Sequence, residues 1–578
     1  MSDTYKDLMD ISKRRGFIWP SFEIHGSASG FYDYGPLGKK LLDNIKEKWK
    51  NYYIQKEGFE EVKSTTIMSK PVFEASGHLS GFEDALTQCK ECNNSFRADH
   101  LIEEHIEVEP DSLSNKKIEQ KIENHNVRCP ECGGTLGEVY SFNLMFKTNI
   151  GPGKGRAAYL RPETAQGIFV NFNYLYKYNR KSLPFGVVQT GRAYRNEISP
   201  RKGVIRMREF QQMEAEVFVE PNEKNHPNFS KVEKEELRLF PIKNQKEDKG
   251  YINISTKKAV EKNIIGSEIL AYYLAFSKRI LKDIGLNIQK IRFRQHLPEE
   301  RAHYASDCWD IEGETDRFGW IELAGISDRG DYDLKKHAEK SGESLTAFKE
   351  FEEPKKLEKW VIEPNMDVLG PKHKQKADII AEKLKEQDPQ KIKKELENNS
   401  FILELDEETV EINSEEVNIQ KTTKTIKGEN IFPHIIEPSF GIDRILYLLM
   451  EHSYKKDKLG EGQRSYFNFK PEISPIDLAV FPLMKEEELK LEAEKIYEEL
   501  NKEYEVVYDE NGSIGKRYRR QDEIGTPYCI TIDYETLEDD SVTIRQLTSG
   551  KQKRVEYKEL KSTINDLFSN KKNFKDLK

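Results

Sequence analysis

The sequence predicts an α+β fold: an antiparallel β-sheet flanked by helices, interrupted by inserted segments and followed by a small α/β domain. Three observations predict it. First, Gly191 to Glu216 reads as an antiparallel hairpin. Arg195 and Glu197, then Arg206, Arg208 and Phe210, recur with the two-residue period of a strand on either side of the turn-rich Ser199-Pro200-Arg201-Lys202-Gly203. Second, the stretch EPSFGIDR from Glu437 to Arg444 runs into the apolar helix ILYLLM. Third, after Pro471 to Pro475 the pattern changes to short strands alternating with helices.

Taken in order, Pro36 sits where a helix begins, and Leu37, Leu41, Leu42, Ile45, Trp49, Tyr52 and Tyr53 keep helical spacing to about Lys56, where Gly58 ends it. An apolar strand is expected from Phe59 to Met68, before Pro71. Strands around Tyr140, Gly186 and Ile205 make an antiparallel sheet rather than a doubly wound one. Residues 218–300 hold charged helices, including EILAYYLAFSKRILKDIG, and 335–430 is rich in Lys and Glu, with KQKADIIAEKLKEQ and the alternating FILELDEETVEI. Both read as insertions beside the sheet; solvated faces without a partner are the alternative. The C-terminal pattern is strand IDLAVFPL, helix 485–502, strand YEVVYD, helix 513–524, strands PYCITID and SVTIRQL, and a last helix near Tyr557.

Length and composition fit without deciding. A chain of 578 residues is long enough for three or four domains. No run approaches the roughly 18 apolar residues of a membrane span, and MSDTYKDLMDISKRRG lacks an apolar signal region, so a soluble cytosolic protein with no membrane partner is expected. The formal charge of −9 does not suggest nucleic acid, but local basic faces, not mean charge, hold RNA.

The cysteines fall as Cys89-Lys-Glu-Cys92 and Cys129-Pro-Glu-Cys132, with Cys308 and Cys529 isolated. Two CxxC knuckles point to structural zinc, because four thiolates complete a tetrahedral shell and Gly133-Gly134 allows the tight turn of such a knuckle. Four reduced thiols without metal is the alternative, and His100, His105 and His125 are available as substitute ligands.

The hairpin and EPSFGIDR together describe a nucleotide pocket. Arginine suits phosphate through its planar, permanently charged fork, and the Phe210 ring supplies a face for a purine. Gly441 lets backbone approach a ligand and Asp443 caps or braces a helix start. Arg444 falls in the first helical turn, where the dipole disfavours a cation, which makes sense if it faces an anion or a ring.

Tyr194-Arg195-Asn196-Glu197, then Arg206 to Phe210, and later Gly441 to Arg444 resemble motifs 2 and 3 of class II aminoacyl-tRNA synthetases. RRGFIWPSFEIHGSASGFYDYGPLG from Arg14, YLRPETAQGIF from Tyr159, WIELAGISDRGDYDL from Trp320 and IGKRYRRQDEIGTPYCITID from Ile514 resemble the glycyl-tRNA synthetases of the dimeric α2, archaeal and eukaryotic-like type. The resemblance runs from about Arg14 to about Leu560. It implies a class II catalytic sheet and a C-terminal anticodon-binding domain. The implied division is 1–87 with motif 1, 88–138 as a zinc-knuckle insertion and 139–217 with motif 2. Then come 218–300 as a helical insertion, 301–334 as catalytic strands and 335–430 as a charged insertion. Residues 431–470 carry motif 3, and 471–578 are the anticodon-binding domain.

The implied activity is glycine activation by ATP with Mg2+, then transfer of glycine to tRNA(Gly), in a homodimer paired through motif 1. Arg195 would hold the α-phosphate, Arg206 the γ-phosphate, Phe210 one face of adenine and Arg444 the opposite side, while Glu197 would orient adenine or the tRNA end. Asn196, Ile205, Met207, Arg208, Glu209, Glu322, Leu323, Gly441, Ile442 and Asp443 complete the implied ATP site, with Glu322 a ligand for Mg2+. Glu163, Glu214, Glu437 and Ser439 are carried over as the ammonium cluster beside Phe210, and Arg97 and Arg329 as partners of the glycine carboxylate. Lys516, Arg517, Arg519 and Arg520 form a basic helix for tRNA phosphates. One departure is Arg545-Gln546-Leu547-Thr548-Ser549, where the family has Arg-Glu/Asp-Arg-Asp-Ser/Thr-Met; it bears on base recognition by that strand. A non-catalytic descendant would typically lose the pocket arginines. A sister synthetase would not carry the RPETAQG, QQME and EPSFG carboxylate set.

Overall fold

The computed structural model describes residues 4–577 apart from 104–112, 154, 199, 201–202, 299, 301–305, 398–399, 406–407 and 460–461. Of the readings above, Ser199, Arg201 and Lys202 of the hairpin loop, and His105, lie outside the described residues. The chain separates into two compact units, Met1–Leu345 with Phe432–Lys578, and Thr346–Ile431.

The larger unit is built on a nine-stranded sheet. In chain order its strands are β1 (Glu60–Glu61), β2 (Phe185–Tyr194), β3 (Glu209–Val219), β4 (Glu236–Phe240), β5 (Ile252–Ser255), β6 (Ile291–Gln295), β7 (Asp307–Thr315), β8 (Gly319–Gly330) and β9 (His434–Gly441). Side by side they run β5-β4-β6-β7-β8-β9-β3-β2-β1. Neighbours are antiparallel except β4 with β6 and β1 with β2. Three helices matter for the site: α1 (Pro36–Lys50), α2 (Glu268–Ile284) and α3 (Ile442–Ser453).

Alternation along the central strands gives the sheet two different faces. In β3, Met213, Ala215, Val217 and Val219 join the main hydrophobic core, whereas the intervening Gln212, Glu214 and Glu216 are buried polar residues. In β9, Ile436 and Phe440 join the same core, and Glu437 and Ser439 alternate with them. In β7 the core residues are Trp309 and Ile311, so Asp310 and Glu312 share the polar face. The helices cover the apolar face: α2 is buried along most of its length, and Trp49 of α1 meets Phe440 of β9 edge to face. Gly191 in β2 has a packing reason, since a Cβ there would collide with the Arg161 guanidinium.

Several expectations need correction. Phe59 to Met68 is not one strand but the short β1 and a separate Ile67–Ser69 strand, which pairs elsewhere with Arg156–Leu160. Ile205 lies in a 3₁₀ turn, Gly203–Ile205, and the second hairpin strand begins only at Glu209, so Arg206 and Arg208 precede it. Tyr140 belongs to a small sheet with Glu83–Gln88 and Ser95–Arg97. Residues 218–300 are not a helical insertion beside the sheet: they contribute β4, β5 and β6 to it, and EILAYYLAFSKRILKDIG is the core helix α2.

The unit Thr346–Ile431 has a long antiparallel hairpin of Ala347–Pro364 with Val417–Ile431, three helices within Met366–Leu396, and a second hairpin of Ser400–Glu404 with Thr409–Asn413. Leu369, Ile380, Leu384, Phe401 and Ile412 form its own core. At the C-terminus, β10 (Leu478–Pro482), β11 (Val506–Tyr508), β12 (Tyr528–Ile532), β13 (Ser541–Gln546) and β14 (Gln552–Glu556) form a five-stranded sheet in the order β11-β10-β12-β13-β14. It has a core of its own around Leu478, Val480, Ile530 and Ile564.

Candidate active site

The polar face of the sheet holds a cavity where β3, β8 and β9 meet the start of α3. Arg195, Glu197, Ile205, Arg206, Met207, Phe210, Glu322, Leu323, Gly441, Asp443 and Arg444 all line it, together with Ser439. Asn196, Arg208, Glu209 and Ile442 do not. The Arg208 guanidinium donates to the Glu197 and Ser29 carbonyls, Glu209 pairs with Arg192, and Ile442 is buried in the core. Val204 and Gln212 line the cavity as well; neither was legible, because nothing in the residue types marks them.

Each cation in the cavity is held in place. Arg195 lies over the Phe210 ring, 5.3 Å from its centroid, and its Nε donates to the Pro162 carbonyl. Arg206 Nε donates to Glu197 Oε2 at 2.6 Å. Arg444 Nε donates to the Ile205 carbonyl, and its Nη1 reaches both the carbonyl and the carboxylate of Glu322, at 3.0 and 2.8 Å. Those carbonyl and carboxylate partners offset a cation at the positive end of α3. Asp443 does not cap its own helix. It accepts from Tyr34 Oη and from the Gln211 N–H, tying α3 to the N-terminal segment and to β3.

Next to this cavity, Glu163, Glu214, Glu437 and Ser439 come together with Arg329. Ser439 Oγ donates to Glu214 Oε1 at 2.8 Å, and the Thr164 N–H and hydroxyl donate to Oε2. Arg329 is buried and its fork is taken: Nη1 is 2.9 Å from both oxygens of Glu437, and Nε and Nη2 bond Asp333. Its work in this geometry is to order carboxylates. Gln166 bridges Glu163 and Asp333, and His337 bonds Gln166 in turn. Arg97 is elsewhere. It pairs with Asp99 and Asp84, and Asp84 also approaches Arg206, so Arg97 supports the arginine side of the cavity rather than the carboxylate cluster.

So many acids against one guanidinium cannot all be ionised. Burial pushes the Glu437 carboxyl up to about 8 against the pull of Arg329, with the charges of Glu214 and Glu163 adding to the rise. Burial also raises Glu214, while His78 and Arg329 overcome burial at Glu163 and hold it below the usual carboxylate range. Glu216, the next polar residue along β3, is fully buried with neither oxygen hydrogen-bonded, and burial beside Glu437 drives it well above that range. Sequence reading missed Glu216, Thr164, Gln166 and Asp333, although all four stand inside the motifs quoted above.

Comparison with known proteins now decides the family. Residues 146–453 match the family described as "tRNA synthetase class II core domain (G, H, P, S and T)", and residues 477–567 match "Anticodon binding domain". A protein of Methanothrix thermoacetophila named "Glycine--tRNA ligase" is 49% identical over 569 residues, covering 98% of this chain and 97% of its own. Proteins of the same name from Pyrococcus furiosus and Methanothermobacter thermautotrophicus are 49% and 46% identical over 566 and 565 residues, covering 98% and 97% of this chain and 99% of each relative. The chain belongs to the glycine–tRNA ligase family.

Two further features of this family member were named from the sequence. The ligand atoms of Cys89, Cys92, Cys129 and Cys132 all lie within 4.8 Å of one another, with Sγ–Sγ distances of 3.5 Å for Cys89–Cys132 and 3.7 Å for Cys92–Cys129. Zinc–sulfur bonds of about 2.3 Å put tetrahedral ligands roughly 3.7 Å apart, so the thiols are set as a zinc shell requires. In the C-terminal domain, helix α4 (Ile514–Ile524) exposes Lys516 and Arg519, and half-exposes Arg520 beside Asp509. Arg517 is buried and donates to the carbonyls of Pro482, Leu483 and Asp509, so it is a brace and not part of the basic surface. Among the described residues, no helix is long and apolar enough to cross a membrane.

Proposed function

We propose that this chain activates glycine with ATP to glycyl-adenylate and transfers the glycyl group to the 3′ end of tRNA(Gly). One observation carries the reading: Ser439 lines the arginine-lined cavity and also bonds Glu214, so a phosphate-type site and an ammonium-type site share a wall. The glycine carboxylate attacks the α-phosphorus and pyrophosphate leaves, with no covalent protein intermediate. The protein holds the two reactants in line and neutralises charge on the phosphoryl oxygens.

ATP would enter as its Mg2+ complex, and Glu322 would be the carboxylate that meets that ion. Arg195 takes the α-phosphate and Arg206 the γ-phosphate, while adenine lies between Phe210 and Arg444. Glu197 orients adenine or the arriving tRNA end. Glu163, Glu214 and Glu437 hold the ammonium, and their enclosure excludes larger amino acids by size, so no editing site is required. Arg329 orders these acids instead of binding substrate carboxylate.

The four-cysteine cluster in 88–138 takes structural zinc, which cross-links that insertion. Residues 471–578 bind the anticodon end of the tRNA through Lys516, Arg519 and Arg520. Two copies pair through the motif 1 region. Charging of a tRNA(Gly) transcript with labelled glycine tests the proposal; a chain that forms adenylate with glycine yet charges no tRNA would contradict its second half.

A further inference from the structure

Beyond the cavity and the carboxylate cluster, the described residues include one more group of side chains able to ligate a metal. His296 follows β6, and Cys308 and Asp310 belong to β7. The pairing of Arg294 with Asp310 and Gln295 with Trp309 fixes the two strands at that point. One ligand atom from each of His296, Cys308 and Asp310 lies within 4.8 Å of the others.

Two further observations separate this group from an ordinary ion pair. Both imidazole nitrogens of His296 are buried and neither makes a hydrogen bond; Nε2 lies 2.8 Å from Asp310 Oδ1 without the alignment of one. A ring nitrogen without an aligned hydrogen bond can take a ligand without breaking one. Cys308 is buried, has no disulfide partner, and its Sγ lies 2.9 Å from Ser327 Oγ, which steadies it.

We propose that His296, Cys308 and Asp310 form a second metal site, separate from the four cysteines, which takes Zn2+ through one nitrogen, one thiolate and one carboxylate oxygen with solvent in the fourth position. The donor set selects the ion. A thiolate and an imidazole suit zinc or cobalt and disfavour Mg2+ and Ca2+, which prefer all-oxygen shells. Three protein ligands with an open position differ from the closed four-sulfur shell of a structural site. The ion cross-links the end of β6 to β7, one strand away from Glu322 on β8.

Metal counting on the full-length chain tests this. Chelated protein is dialysed against Zn2+ and then against metal-free buffer, and zinc per chain is read by plasma mass spectrometry. The proposal gives two ions in the unaltered chain, one in His296→Ala and one in Cys308→Ala. A count of one in the unaltered chain, or of two in both variants, overturns it. To separate loss of the site from misfolding, Co2+ is also added to a Cys89→Ser/Cys129→Ser chain, in which the four-sulfur shell is broken. The expected result is a charge-transfer band of single-thiolate intensity that disappears on adding Cys308→Ala; no band at all contradicts the site.

Discussion

Arg444 Nη1 sits 2.8 Å from Glu322 Oε2 and 3.0 Å from the Glu322 carbonyl, so a helix and a neighbouring strand position one guanidinium between them. The cation is held at the wall of the cavity before any ligand arrives, which is the condition for stabilising charge without reorganisation. Arg444→Ala is expected to slow adenylate formation on the order of a hundredfold, as loss of one preorganised donor does. Arg444→Lys recovers little, because a point charge cannot keep both Glu322 and Ile205 as partners. Pre-steady-state measurement of adenylate formation reads both variants.

Arg195→Ala is expected to cost on the order of a hundredfold or more in the same step, since Arg195 is the cation lying over Phe210. Near-normal turnover in this variant would remove Arg195 from the mechanism.

Glycine binding is expected to release a proton. With its pKa pushed up to about 8, Glu437 holds a proton in the empty site at neutral pH. The ammonium of glycine favours the ionised form. Apparent glycine affinity therefore improves from pH 6 to pH 8, by up to about tenfold per unit for one proton, and then levels. The effect on folding has the opposite sign. The folded-state pKa lies above the unfolded value, so the contribution of Glu437 to the stability of the empty protein is greatest at low pH and is lost as pH rises through 8. Calorimetric titration in buffers of different ionisation enthalpy counts the protons. A glycine KM flat between pH 6 and 8 would contradict the assignment, as would the same slope in Glu437→Gln.

The basic helix in the C-terminal domain is expected to split into two behaviours. Arg519→Ala should leave thermal stability unchanged and raise the tRNA KM several-fold, with a weaker salt dependence. Arg517→Ala should instead destabilise this domain by about 3 kcal/mol, because three buried carbonyls lose their donor. Parallel melting and charging measurements separate the two.

Arg195, Arg206, Phe210 and Arg444 were legible because a phosphate and purine pocket needs those residue types at strand and helix-start spacings, whereas the carboxylate cluster came only from the family resemblance. Partnership was not legible. Arg97, Arg329 and Arg517 look like free cations in sequence, and only the fold shows that Asp99, Asp333 with Glu437, and the Pro482, Leu483 and Asp509 carbonyls have claimed them. The charged look of 218–300 concealed three sheet strands for a related reason. Such short strands take their place from their partners, Glu236–Phe240 from β6 further along the chain and Ile252–Ser255 from Glu236–Phe240, and their own residues carry little signal. Glu216 escaped notice because a buried carboxyl without hydrogen bonds breaks the rule by which acids are placed at surfaces.

The most direct measurement is exchange of labelled pyrophosphate into ATP, run separately with each of the 20 amino acids. Exchange is expected with glycine, and background with alanine, serine and the rest. No exchange with any amino acid, or exchange driven by one larger than glycine, would contradict it.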